Sequence, residues 1–272
     1  MIDDSEILSY IILIISGVAA GIFSGIIGMG GGTILVPVQY NLLFNIYSIN
    51  PDIAIRTAIA TSLAVTLPTA ISSTYGHFRH GIKVPKIGIV TSICGFTGGI
   101  AGGIISSHLS FSILAPFFAF VMFAMAVIMI KSGPAKDSDQ YRSEIYIYVF
   151  IGFFVGILSA MIGIGGGVIL APLLIIFCKI PLKISSAITS LFVIGVSIGG
   201  LLPYTLMGGN RLLNQFITIG YLNVTWWIII AVSSVIFARV GVLILYRFNT
   251  KYVRYLFILL LMYLSLNLLG II

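Results

Sequence analysis

Charged residues are scarce in this chain. They make up 8% of its 272 residues, whereas hydrophobic residues make up 59%, and the mean hydropathy is +1.18. These values lie far outside the range of soluble globular domains. Apolar runs of roughly 20 residues, which can cross a bilayer as helices, recur along the chain, and the alternation typical of membrane β-barrels is missing. The sequence therefore predicts an all-α integral membrane protein.

Carboxylates are missing from every apolar segment. All seven lie in the N-terminus, in one loop or in a polar stretch in mid-chain: Asp3, Asp4, Glu6, Asp52, Asp137, Asp139 and Glu144. Proton- and sodium-coupled cation transporters usually place a carboxylate on the pathway, so this absence disfavours cation transport and favours an anion. It also argues against paired-carboxylate hydrolysis and Ser-His-Asp chemistry, so we do not expect an enzyme.

Cysteine is nearly absent too. Cys94 and Cys178 both lie in apolar segments, which indicates neither a disulfide framework nor a zinc site, and no cofactor or metal is predicted. The net charge of +7 comes from basic residues scattered over short loops. They form no stripe with interleaved aromatic residues, so we expect no nucleic-acid partner and attribute them to orientation in the bilayer.

Glycine, in contrast, is abundant and repeated. Residues 21–37 (GIFSGIIGMGGGTILVP) and 156–172 (GILSAMIGIGGGVILAP) match at most positions, one copy in each half of the chain. A motif repeated once per half inside apolar segments predicts a duplicated membrane protein whose site is built from both copies. Thr61-Ser62-Leu63 recurs as Thr189-Ser190-Leu191, a shorter echo of the same duplication.

The predicted helical segments divide equally between the halves. They are residues 7–28, 33–47, 55–75, 84–106 and 112–131, then 145–163, 168–178, 185–207, 219–246 and 252–271. We therefore predict a first repeat over 1–131, a cytoplasmic linker over 132–144 and a second repeat over 145–272. An odd number of segments per repeat implies inverted topology. Lys and Arg concentrate in alternate loops, which places both termini outside.

Each glycine motif predicts a re-entrant or broken helix hairpin, with about three further transmembrane helices completing each repeat. The segment after the second motif is too short to span a bilayer. A helix starting just after the triple glycine would carry Pro37 or Pro172 in its first turn. The helix N-termini would then point into the membrane with free N–H groups, which suits an anion. Close helix packing is the alternative role for these glycines.

Candidate substrate-binding residues follow from this hypothesis. They are Gly28, Gly30, Gly31, Gly32, Gly163, Gly165, Gly166, Gly167, Gln39, Thr61, Ser62, Thr189, Ser190 and Arg239. The hydroxyl groups could equally bond to their own helices, and Arg239 could extend its side chain to the membrane surface. His77, Arg79 and His80 form a cluster that suits either an entry role or an interfacial anchor.

The two G-x-G-G-G runs, each followed by a proline, resemble the TauE/SafE family over essentially the whole chain. Gly220-Tyr221-Leu222-Asn223 looks like a further family position. The resemblance implies a permease in the cytoplasmic membrane of a bacterium or archaeon, working by alternating access. Its cargo would be sulfite, sulfoacetate or another small organic anion. A non-transporting scaffold and a sulfur-transfer component are the alternatives, and whether the chain forms a homo-oligomer stays open.

Overall fold

A computed structural model gives the fold. It describes residues 4–28, 30–82, 84–109, 111–131, 144–208 and 216–247, together with single positions between 252 and 266. The predicted linker, residues 132–144, lies outside the described residues except for Glu144. Most of the predicted segment over 252–271 lies outside them as well.

The described part is almost entirely helical. Its helices are α1 (Asp4–Ile27), α2 (Gly32–Asn41), α3 (Pro51–Arg79), α4 (Lys86–His108), α5 (Phe111–Lys131), α6 (Ile145–Ile162), α7 (Gly167–Ile176), α8 (Leu182–Met207) and α9 (Val224–Arg247). A π-helical turn, Leu42–Ile46, follows α2, and two short strands, β1 (Thr218–Ile219) and β2 (Leu222–Asn223), precede α9.

Six of these helices are long and apolar enough to cross a membrane: α1, α3, α4, α6, α8 and α9. Helices α2 and α7 have 10 residues each. At about 1.5 Å per residue, each covers about half of the hydrocarbon thickness. The prediction of an all-α integral membrane protein is confirmed, and the chain is multi-pass.

Helices α3 and α8 form the centre of the bundle. They are the most buried of the six spanning helices, and they pack against each other. Helix α9 packs on α3 and α4 on α8, while α1 lies along α9 and α6 along α4. Exchanging the halves of the chain, with α1 for α6, α3 for α8 and α4 for α9, leaves this pattern unchanged. A two-fold relation between repeats would produce such a pattern.

Some glycines bring the backbones of the outer helices together. Gly25 of α1 lies against the carbonyl oxygen of Ala238 on α9, and Gly98 of α4 lies against that of Phe153 on α6. A Cβ atom at either glycine would overlap the facing backbone, so only glycine permits these approaches. Close packing is therefore the role of these glycines within the spanning helices.

The glycine motifs interrupt the chain between helices. The prediction that a short helix begins at each triple glycine is confirmed, since α2 starts at Gly32 and α7 at Gly167. The prediction that the prolines occupy the first turn is wrong. Because each helix already starts at the last glycine of its run, Pro37 and Pro172 lie in the second turn. Each leaves the carbonyl oxygen four residues earlier without an intrahelical donor.

A β-hairpin replaces the start of one predicted helix. The segment predicted over 219–246 becomes helical only at Val224, because β1 and β2 pair antiparallel around Gly220. Gly220 has a φ of 59° and lies against the backbone of Tyr204 and Thr205 at the end of α8. Asn223 then caps α9, its Oδ1 accepting the backbone N–H of Trp226 at 3.1 Å.

Candidate functional site

Six glycines give the two turns their shape. All have positive φ, a conformation that side-chain-bearing residues adopt only with strain. In the first turn the angles are 76° at Gly28, 75° at Gly30 and 82° at Gly31, and in the second turn 74° at Gly163, 75° at Gly165 and 97° at Gly166. Residues 28–32, of which Met29 is not described, are called the first glycine turn below, and residues 163–167 the second glycine turn.

The two glycine turns meet in the middle of the bundle. Gly32 lies against the carbonyl oxygen of Gly163, so the turns are in direct contact. Gly30 and Gly165 both approach the side chains of Thr66 on α3 and Val193 on α8. Parts of the chain 135 residues apart in sequence thus lie at the crossing of the two central helices.

Each short helix begins at this junction without a cap. Gly31 precedes α2 and Gly166 precedes α7, and neither helix receives a side-chain hydrogen bond at its N-cap. The first N–H groups of a helix have no intrahelical acceptor, and the helix dipole gives this end a partial positive charge. Gly32 and Gly167, the first helical residues, are both buried. Two such ends therefore supply donors to the same buried region.

Two of the candidate hydroxyl groups hold the turns in place. Ser62 Oγ donates to the carbonyl oxygen of Gly163 at 2.8 Å, and Thr189 Oγ1 shares its hydrogen among the carbonyl oxygens of Ile27, Ser185 and Ser186, each at 2.9 Å. Ser190 Oγ donates within its own helix to Ser186 O at 2.9 Å. These residues are fully buried.

Thr61 connects the centre to the β-hairpin instead. Its Oγ1 accepts the backbone N–H of Asn223 at 3.0 Å, which ties β2 to α3 one residue before Ser62. The amide Nδ2 of Asn223 is buried without a hydrogen-bond partner among the described residues. The hairpin therefore brings one more polar group toward the central helices.

Gln39 is the candidate with the most unusual surroundings. It is fully buried on α2, and neither its Nε2 nor its Oε1 has a hydrogen-bond partner within the described part of the chain. On the same helix, Leu35 packs in a core cluster with Trp226, and Val36 packs in another with Tyr204. A buried amide without partners is costly, so these surroundings are unusual for a residue that only packs in the core.

Three further hydroxyls near the glycine turns share this property and were missed from the sequence. Ser24, Thr33 and Ser159 are fully buried, and none of their oxygen atoms has a partner among the described residues. Thr33 directly follows the first glycine turn, and Ser159 Oγ lies beside Gly166. Ser24 and Ser159 occupy the same position in the two motif copies, a signal that the aligned copies already contained.

Arg239 is not one of the buried polar residues near the glycine turns. Its side chain is exposed on α9, and its guanidinium group lies 5.7 Å from the ring centre of Tyr75. A different arginine, Arg56, is half-buried near the start of α3, where it donates to Tyr221 Oη at 3.2 Å and to Leu109 O at 3.5 Å. Arg56 is thus the more buried of these two arginines, and it was not a candidate in the sequence analysis.

The described residues contain no group of three or more His, Cys, Asp or Glu side chains placed to hold a metal ion. Cys94 lies half-buried on α4, and Cys178 is buried just after α7. The described part of the junction offers backbone N–H groups and hydroxyls, and a buried amide lies farther along α2. Groups of this kind can bind a small polar or anionic solute.

The comparisons with known proteins agree with this description. The family model for the sulfite exporter TauE/SafE matches residues 13–268. A probable membrane transporter protein of Methanocaldococcus jannaschii is 27% identical over 89% of this chain and 89% of its own length. One from Bacillus subtilis is 27% identical over 70% of this chain and 76% of its own, and another from that organism is 30% identical over 69% and 76%.

No solved structure matches the chain. The relatives are named as transporters, and neither their names nor the family description mentions a scaffold or a sulfur-transfer protein. The match over nearly the whole chain, together with six membrane-spanning helices, shows a membrane transporter rather than an enzyme. The chain belongs to the sulfite exporter TauE/SafE family.

Proposed function

We propose that this transporter carries a small oxyanion, sulfite or an organosulfonate such as sulfoacetate, through a site at the junction of the two glycine turns. One observation carries the proposal: two uncapped helix N-termini begin beside the same two side chains, Thr66 and Val193. Helix N-termini are ready-made anion sites, and glycine lets a ligand approach the backbone closely. The family's description as sulfite exporters supports the choice of anion.

Hydrogen-bond chemistry also supports an oxyanion. Sulfite has three oxygen acceptors, and an anion of this kind binds to several donors at once. Beside the helix ends, the hydroxyls of Thr33 and Ser159 are buried without partners in the described residues, as are the hydroxyl of Ser24 in the last turn of α1 and the amide of Gln39 farther along α2. Each of these groups could donate to a bound anion. Neutral donors bind an anion without trapping it, which a transporter needs in order to release it.

Alternating access is the mechanism that we propose. The symmetric packing of the halves and the meeting of the two glycine turns support two inverted repeats that rock about a central site. The end of α3, the start of α8 and the end of α9 lie together, since Lys183 and His80 both contact the ring of Tyr246. This basic end would face the cytoplasm, with both termini outside.

A variant at Thr33 tests the site directly. Replacing glycines of the turns introduces backbone strain, so a hydroxyl is the better target. Thr33→Val keeps the shape of the side chain and removes an oxygen that has no protein partner, so folding should be unaffected. Loss of a hydrogen bond to a charged ligand costs about 1.5–3 kcal/mol, so we expect anion flux at low substrate concentration to fall roughly tenfold or more.

The measurement is efflux of labelled sulfite and sulfoacetate from proteoliposomes, with a neutral solute of similar size as reference. Thr74→Val is the matched control, because Thr74 also has a buried hydroxyl without a partner but is not among the atoms nearest either glycine turn. Flux of Thr33→Val equal to that of Thr74→Val would contradict the placement of the site. No flux of any anion by the wild-type protein would contradict the substrate class.

A further inference from the structure

A hydrogen-bonded chain runs from the basic end of the bundle to the first glycine turn. Its central member is His77 of α3, whose side chain is fully buried. Its Nδ1 lies 3.2 Å from Tyr246 Oη on α9, and its Nε2 lies 3.2 Å from Ser186 Oγ on α8. Ser186 Oγ in turn donates to the carbonyl oxygen of Ile26 at 3.1 Å.

The first glycine turn lies at the inner end of this chain. Ile26 is two residues before Gly28, and Gly28 itself lies against the carbonyl oxygen of Ser186. One hydroxyl group therefore separates the imidazole of His77 from the α1 backbone just before the turn. At the other end, Tyr246 is half-buried and its ring stacks on that of the exposed His80, with ring centres 4.4 Å apart. The chain thus joins the surface of the bundle to the proposed anion site.

The contacts of His77 allow the imidazole to be neutral or charged. A hydroxyl group has one hydrogen, which Ser186 Oγ can donate to Ile26 O while accepting from His77 Nε2. In that arrangement Nδ1 accepts from Tyr246 O–H in the neutral imidazole and becomes a donor to Tyr246 Oη when a proton is added. The imidazole can change charge without losing either partner.

We propose that His77 takes up a proton together with the transported anion, so that transport is coupled to proton movement. The inference rests on the proposed function, because the anion supplies the charge that balances the imidazolium. A hydronium ion at the basic end releases a proton, which adds to Nδ1 when an anion occupies the glycine turns, and both leave when the site opens to the other side. The step breaks one O–H bond of hydronium, forms one N–H bond on the imidazole and leaves a water molecule.

The surrounding charges make this uptake depend on the anion. Groups near His77 that can carry charge are cationic or neutral: Arg79 and His80 on its own helix, Lys183 on α8, and Tyr246, Arg239 and Arg247 on α9. On α1, no titratable residue occurs between Leu13 and Ile27. Among the described residues, no carboxylate contacts His77, so none pairs with an imidazolium there. A charge buried in an apolar interior is costly unless it is paired, so an anion at the turn and a proton on His77 favour each other.

His77 is also the side chain best suited to this role by its chemistry. Imidazole is the group whose charge normally changes near neutral pH, and the apolar segments hold no carboxylate that could substitute for it. His108, at the end of α4, is exposed and belongs to no such hydrogen-bonded chain within the described residues, which makes it the matched control.

Uptake driven by a pH gradient tests the proposal. Proteoliposomes would receive labelled sulfoacetate, which is fully ionised near neutral pH and so carries no proton itself, with the membrane potential held at zero. Coupling to one proton allows accumulation of about tenfold per pH unit, because one pH unit on one proton is worth about 1.4 kcal/mol. We expect this accumulation in the wild type and in His108→Gln. His77→Gln keeps a donor and an acceptor but cannot titrate, so it should exchange sulfoacetate without accumulating it.

The outcomes separate the two proposals. Accumulation by His77→Gln equal to that of the wild type would overturn the proton-carrying role and leave the anion site intact. Wild-type exchange that ignores the pH gradient would do the same. Loss of downhill exchange in a folded His77→Gln would place the residue in anion binding itself and also overturn the inference. Absence of sulfite and sulfoacetate exchange in the wild type would reject the proposed function.

Discussion

Ser62 of α3 donates a hydrogen bond to the carbonyl oxygen of Gly163 at 2.8 Å, so a helix of the first half holds the glycine turn of the second. A reciprocal contact runs from Thr189 of α8 to Ile27, beside the first glycine turn. Both donors belong to the repeated Thr-Ser-Leu sequence. Each half of the chain thereby fixes the position of the other half's turn.

Replacing Ser62 with alanine should destabilise the protein and slow transport. The buried carbonyl group of Gly163 would lose its hydrogen bond from Ser62, which costs about 1–3 kcal/mol. Thermal unfolding in detergent and sulfite efflux would be compared with those of Thr97→Val, whose hydroxyl is exposed and bonds within its own helix to Cys94 O. A melting temperature equal to that of Thr97→Val would show that the contact contributes nothing to stability.

Gly30→Ala should be far more damaging than Gly81→Ala. Both glycines have positive φ, 75° and 80°, so both variants carry a backbone strain of about 1–2 kcal/mol. At Gly81 nothing lies within 4 Å of an added Cβ, whereas at Gly30 it would lie 2.8 Å from Val193 Cγ1 and 3.1 Å from Thr66 Cβ. The added crowding lies at the junction of the turns, so flux should fall as well as stability.

This pair of variants separates strain from crowding because the backbone angles are nearly the same. Gly81→Ala measures strain alone, and the further loss of melting temperature in Gly30→Ala measures the contact with the central helices. Equal losses in both variants would indicate that the junction can relax around a methyl group. Efflux would be measured in the same preparations.

The repeated glycines made much of this arrangement predictable. Helix breaks at Gly28 and Gly163 and the approximate positions of the nine helices in the described residues followed from motif and hydropathy, because both depend on local chemistry. The exact first residue of each short helix did not follow, because three consecutive glycines give no local signal that separates Gly31, with a φ of 82°, from Gly32, the first helical residue. The β-hairpin could not be predicted either, because its apolar residues fit a helix in the sequence. The contact of Gly220 with the end of α8 is known only from the structure.

The directions in which side chains point could not be predicted from the sequence either. Arg239 lies inside an apolar run, and the sequence alone does not show that it points away from the bundle. The unpartnered state of Ser24 and Ser159 depends on every neighbour within hydrogen-bond distance, which only a three-dimensional structure supplies. Candidate residues on one helix could therefore be named, but their partners on other helices could not.

The two arginines should differ in their effect on transport. Arg239→Gln should leave sulfite efflux within about twofold of the wild type, because its guanidinium group is exposed and contacts the ring of Tyr75. Arg56→Gln should lower efflux, since it removes a cation that is held by Tyr221 and Leu109 and whose Nε is buried without a partner. Efflux at several salt concentrations would show whether the loss reflects attraction of the anion.

Gln39→Leu should preserve stability while lowering transport. The substitution removes two buried polar atoms that have no protein partner, so the melting temperature should stay the same or rise. If the amide donates to the bound anion, efflux at low substrate concentration should fall about tenfold or more. A variant that melts lower and transports normally would assign Gln39 to the structure rather than to the substrate.

The second half offers the matched comparison. Leu174 occupies the position equivalent to Gln39 when the two glycine motifs are aligned, and it is fully buried on α7. Leu174→Gln would bury a new amide without a partner. It should lower the free energy of unfolding by about 1–3 kcal/mol, the cost of an unpaired polar group, and the melting temperature with it. A melting temperature that Gln39→Leu keeps or raises and that Leu174→Gln lowers would mean that the site is polar on the α2 side only. A substrate would then bind in a single orientation, with one end toward α2.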